Sequence, residues 1–172
     1  MKKNVIISLA DSKYYELLDE LVNSIKQFKE SENTAICILD AGLTDEQKQK
    51  LSLKVDEIKS ADWDIEVPEF KVKGREWLKS QVSRAFLPKY FPGYEKYLWI
   101  DADAWVNSWD AVELYFKGCE NNKLSIATSA DRAYGRVLRA EWYLGALQKS
   151  NHKIINMQNH LGFQKILQEQ LR

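Results

Sequence analysis

The chain has 172 residues, 45% of them apolar and 29% charged, a globular profile long enough for one domain with a real core. Its 25 basic and 25 acidic residues cancel, and a net charge of zero argues against a nucleic-acid binder. Cys37 and Cys119 offer no disulfide framework and suit a reducing compartment. No segment reaches transmembrane or signal-peptide length, so a cytoplasmic, soluble protein is expected.

In chain order, residues 5–10 form an apolar run that predicts a first strand. Asp11 or Ser12 is placed to cap a helix running to about Phe28, with Tyr14, Leu17, Leu18, Leu21, Val22 and Ile25 on its apolar face. Residues 34–39 (Thr-Ala-Ile-Cys-Ile-Leu) predict a second strand, closed by a turn at Asp40-Ala-Gly42. Thr44 and Gln47 fit a capping box for a helix reaching about Leu53. Residues 65–67 predict a short strand stopped by Pro68. A helix is expected from Arg75 to about Leu87, ended by Pro88, with Pro92-Gly93 as the following turn. Residues 96–101 predict another strand, Ser108 caps a helix to about Phe116, and 124–128 predict one more strand. From about Arg139 the pattern is mainly helical. Strand and helix alternate, so the fold class expected is α/β, with a mostly parallel central sheet and helices on both faces.

The most informative stretch is 96–107, where the apolar run Tyr97 to Ile100 leads directly into Asp101 and Asp103. In open α/β sheets, ligands bind beyond the carboxyl ends of the strands. Two neighbouring carboxylates there call for a cation, and Mg²⁺ or Mn²⁺ prefers oxygen ligands while keeping positions open for phosphate oxygens. In extended backbone, the i, i+2 spacing puts both side chains on one side of the chain. The stretch therefore reads as a metal-diphosphate site. A strand running into an acidic turn is the plainer alternative.

Three features together resemble the nucleotide-sugar glycosyltransferases of the GT-A fold, specifically glycosyltransferase family 8. They are Ala10-Asp11-Ser12-Lys13-Tyr14 after the first strand, Arg84 seventeen positions before Asp101, and Tyr97-Leu-Trp-Ile-Asp-Ala-Asp103. The resemblance covers roughly residues 4–135. It implies a nucleotide-sugar site built from Ala10, Asp11, Tyr14, Arg84, Asp101, Ala102 and Asp103. Asp11 is implied to accept from a uracil N–H, and Tyr14 to stack on or flank the base. Arg84 is implied to bind diphosphate or donor-sugar oxygens, and Asp101 and Asp103 to hold Mn²⁺ or Mg²⁺. Asp131, after the strand expected at 124–128, is a candidate sugar contact. The implied partners are a UDP-sugar donor and a glycan, lipid or protein acceptor, with retention of the anomeric configuration. Each residue also has a plainer reading: Asp11 as a helix cap, Tyr14 as core, Arg84 as a solvated surface residue, and His152 and His160 as surface residues.

The chain reads as a single domain, 1–172, with a nucleotide- and metal-binding part over 1–135. The helical segment 136–172 would open an acceptor half that is incomplete, so a C-terminal truncation is expected. A non-catalytic nucleotide-binding or interaction module derived from such an enzyme is the alternative. A haloacid-dehalogenase-type phosphatase, which also places Asp-x-Asp after an apolar strand, is a distant third; Trp105 stands where that motif wants Thr or Val.

Overall fold

The computed structural model describes residues 2–121 and 123–126. The elements below lie in the compact unit Met1–Lys123. Four parallel strands, β1 (Asn4–Ala10), β2 (Thr34–Asp40), β3 (Glu57–Ser60) and β4 (Lys96–Trp99), form one sheet in the order β3-β2-β1-β4. The three apolar runs predicted as strands thus lie side by side, with Val5 opposite Ala35 on one flank and Tyr97 on the other.

Period-two alternation divides the strand side chains between two faces. On one face, Ile6, Ile36, Ile38 and Leu98 pack under α1 (Tyr15–Lys26), α2 (Asp45–Ser52) and α6 (Trp109–Gly118). On the other, Val5, Ile7, Cys37 and Leu39 pack against Leu87, Tyr90 and Phe91. Both faces are therefore covered, which is why β1 and β2 are almost continuously apolar.

Several predicted boundaries move, each for a physical reason. The third strand is β3, at the sheet edge, where Glu57 and Lys59 flank Ile58 and pair with each other at 3.0 Å. Residues 65–67 form no strand and precede the short helix α3 (Glu69–Val72). The helix expected from Arg75 is a chain of short turns: 3₁₀ at Glu76–Leu78, α4 (Lys79–Ser83), 3₁₀ at Arg84–Phe86, and α5 (Leu87–Tyr90). Pro88 does not end this path; it sits in the first turn of α5, where its missing N–H has no intrahelical partner to lose.

The first helix starts later than the spacing suggests, with Tyr14 at its boundary and no side-chain cap. Its phase also differs: Tyr15 is buried, whereas Tyr14 is 49% and Leu17 46% exposed. The capping box at Thr44 and Gln47 and the Ser108 cap form as expected. Residues 124–126 are not in a strand. Ala127 and Thr128, Asp131, His152, His160 and the helical pattern after Arg139 lie outside the described residues.

Candidate functional site

The chain builds β1, β2 and β3 outward in one direction and then returns to lay β4 on the opposite flank of β1. The strand order reverses between β1 and β4, and in an open α/β sheet that reversal opens a crevice at the carboxyl ends. The two loops that leave those ends carry Asp11 and Asp101. β4 is the shorter of the two: Trp99 pairs with Ile7, and the Ile100 amide donates to the Ile7 carbonyl at 3.0 Å.

After β1, Ala10 is buried and its carbonyl accepts from Ala41 N at 3.0 Å. Oδ1 of Asp11 accepts from the amides of Lys13 (2.9 Å) and Tyr14 (3.2 Å), closing the turn ahead of α1. Asp11 therefore organises the loop rather than capping the helix in the usual position. Among the described residues its Oδ2 has no hydrogen bond. The neighbouring loop is tied to this one by Ser12 N on Gly42 O (3.1 Å) and Gln47 Nε2 on Ser12 O (3.1 Å). Gly42 has φ +128°, and a Cβ there would lie 3.9 Å from that of Asp11. The half-exposed Tyr14 ring is open to a ligand, so its reading as core does not hold.

After β4, the chain turns at once. Ala104 N donates to Asp101 O at 3.0 Å, so Asp101 to Ala104 form a β-turn and the extended i, i+2 geometry expected for the two carboxylates is absent. Ala102 tucks into the core between two exposed aspartates. Arg84 comes from the helical path covering the other side of β4. Its Nε donates to Ser80 O at 2.9 Å and its Nη2 to Asp101 Oδ1 at 2.7 Å. The surface reading of Arg84 is thus replaced by an ion pair, with the two side chains 34% and 52% exposed.

One residue of the cluster escaped the sequence reading. Trp99 donates from Nε1 to the same Oδ1 of Asp101 at 2.8 Å, and the Arg84 guanidinium lies 5.1 Å from its ring centroid. The signal was the two-residue offset from Asp101, but Trp99 was counted only as strand apolar surface. Asp101 Oδ1 is thereby saturated, while Oδ2, among the described residues, accepts nothing. Asp103 is exposed. No group of three or more His, Cys, Asp or Glu side chains able to hold a metal occurs among the described residues. What is present is a pair of hard, accessible carboxylates. That donor set suits Mg²⁺ or Mn²⁺, which take one or two carboxylates and complete their shell with water and phosphate oxygens. A cavity of about 640 Å³ lies elsewhere, lined by residues 63–67 and parts of 69–76, and contains none of the predicted site residues.

Residues 5–159 match the family described as glycosyl transferase family 8. Among solved structures, an active-site mutant of LgtC is similar, with 18% identity and a TM-score of 0.46 over 63% of this chain and 41% of that one. Residues 1–349 of S. aureus TarS are 16% identical with a TM-score of 0.42, over 76% of this chain and 40% of theirs. The chain thus spans about two fifths of the length of each. No curated protein sequence matches it.

Proposed function

We propose that this chain, which belongs to glycosyl transferase family 8, is the donor-binding part of a metal-dependent glycosyltransferase. The enzyme of which it is a part takes a UDP-sugar as donor and passes the sugar to an acceptor with retention of configuration. The parallel sheet agrees with the GT-A fold expected of the family. Family membership leaves no place for the phosphatase reading.

The observation that carries the proposal is the meeting of Arg84 with Asp101 at the reversal of strand order, one loop away from Asp11. In this reading the free oxygen of Asp11 accepts from the uracil N–H, and Tyr14 flanks the base. Asp101 and Asp103 hold Mn²⁺ or Mg²⁺. The cation, when bound, neutralises the charge that develops on the departing nucleoside diphosphate. Arg84 spends two of its N–H donors on Ser80 and Asp101 and keeps others for diphosphate or sugar oxygens. Its charge cancels that of Asp101 and leaves Asp103 uncompensated, so the site keeps a net attraction for a cation. Asp131 is assigned to the donor sugar.

The test is UDP release from UDP-sugars by the full chain in Mn²⁺, measured beside hydrolysis of simple phosphate esters. Metal-dependent UDP release supports the transferase. UDP binding without release supports a non-catalytic binding module, and turnover of phosphate esters contradicts both.

A further inference from the structure

We infer that Trp99 is a positioning residue for the cation site: its indole N–H fixes one oxygen of Asp101 and leaves the other free for a cation. The inference rests on the donor-site reading above and adds to it an uncharged residue at the end of a strand.

Three observations carry it. The Trp99 N–H and the Arg84 guanidinium converge on Oδ1 of Asp101, at 2.8 and 2.7 Å, and leave Oδ2 without a partner among the described residues. The indole is held in place, since Trp99 packs against the core cluster of Leu87, Tyr90 and Phe91 and the guanidinium of Arg84 lies 5.1 Å from its ring centroid. The two donors differ in kind. An indole has a single N–H and no charge, so it orients the carboxylate without cancelling the negative charge that a cation needs. Arg84 is a cation and is itself drawn to an incoming diphosphate. When that anion arrives, the bond from Arg84 to Asp101 is the one that weakens, and the indole keeps the carboxylate in place. Donors of this kind behind a metal ligand set its orientation, and their loss typically costs about 10–100-fold in metal affinity.

The test uses the full chain and Trp99→Phe, which keeps an aromatic ring under Arg84 and removes the N–H. Mn²⁺ affinity is measured by electron paramagnetic resonance in the presence of UDP, with Asp101→Asn as the reference. The expected result is a loss of about tenfold or more in Trp99→Phe, with a melting temperature close to that of the parent. The indole signal missing from the spectrum of Trp99→Phe is expected, in the parent, to shift upon Asp101→Asn and to broaden upon addition of Mn²⁺. If Asp101→Asn leaves Mn²⁺ affinity unchanged, the donor-site reading fails and takes the inference with it. If Asp101→Asn weakens Mn²⁺ binding and Trp99→Phe does not, the inference alone is overturned. Should Trp99→Phe fail to fold, the parent's Trp99 indole signal, assigned by triple-resonance NMR without the variant, decides: one unmoved by Asp101→Asn and untouched by Mn²⁺ contradicts the role assigned to Trp99.

Discussion

Arg84 and Asp101 come from different layers of the fold, the helical path beneath the sheet and the turn after β4, yet meet at 2.7 Å. The pair is half exposed, so solvent screening limits its contribution to stability to about 0–1 kcal/mol. Arg84→Ala should therefore barely move a urea melt. It should nonetheless weaken UDP binding in Mn²⁺ roughly 10- to 100-fold, since a hydrogen bond to a charged group is worth about 1.5–3 kcal/mol. A large stability loss with unchanged UDP affinity would mean that the pair only braces the fold.

Asp103 is exposed and its carboxylate has no hydrogen-bond partner among the described residues. Asp103→Asn should abolish the Mn²⁺-dependent part of UDP binding and leave the circular dichroism spectrum unchanged. Without metal, the variant should be about as stable as the parent, because substitutions of exposed residues without partners usually change stability by no more than about 0.5 kcal/mol. Retained Mn²⁺ dependence would remove Asp103 from the ligand set.

Ser8 lies in the middle of β1, 2% exposed, and its hydroxyl has no hydrogen-bond partner among the described residues. A buried polar group left unsatisfied costs about 1–3 kcal/mol. Ser8→Ala removes that cost and opens little space, so it should raise unfolding free energy by about 1 kcal/mol in chemical denaturation. A destabilised Ser8→Ala would reveal a partner for the hydroxyl.

Burial pushes the Cys37 thiol from 9.0 up to about 11, and the Tyr94 hydroxyl 4.0 Å away from 10.0 up to about 12. Both values are raised, so the native state keeps protons that the unfolded chain releases. The stability this gives is complete below pH 9 and is lost as pH rises through 11 for Cys37 and 12 for Tyr94. The melting temperature should fall over this alkaline range, and more gently in Cys37→Ala. An identical alkaline slope in that variant would assign the loss to other groups. The same burial should leave Cys37 unreactive toward thiol reagents in the native protein.

Residues 5–10 and 34–39 were legible as strands because burial on both faces leaves no polar alternation to obscure them, and the apolar run at 97–100 marked β4, which stops at Trp99 rather than running on to residue 101. β3 was not, because an edge strand carries the charges of Glu57 and Lys59 and offers only Ile58 to the core. The start of α1 was misphased because Tyr14 and Leu17 are apolar at helical spacing yet stay exposed. In the candidate site, the positions of Asp11, Arg84 and Asp101 followed from motif order. The turn at 101–104 did not, since backbone hydrogen bonding after a strand is invisible in side-chain pattern. Trp99 was hidden for a related reason: periodicity counts an indole as apolar surface and ignores its N–H.

The measurement that bears most directly on the central claim is a calorimetric titration of UDP into the full chain, once with Mn²⁺ and once with a chelator. If Asp101 and Asp103 hold a cation that favours the diphosphate, UDP should bind in Mn²⁺ and removing the metal should weaken binding by at least about tenfold, or 1.4 kcal/mol. Equal UDP affinity in Mn²⁺ and in chelator, or no binding in either, would contradict a metal-dependent donor site at Asp101 and Asp103.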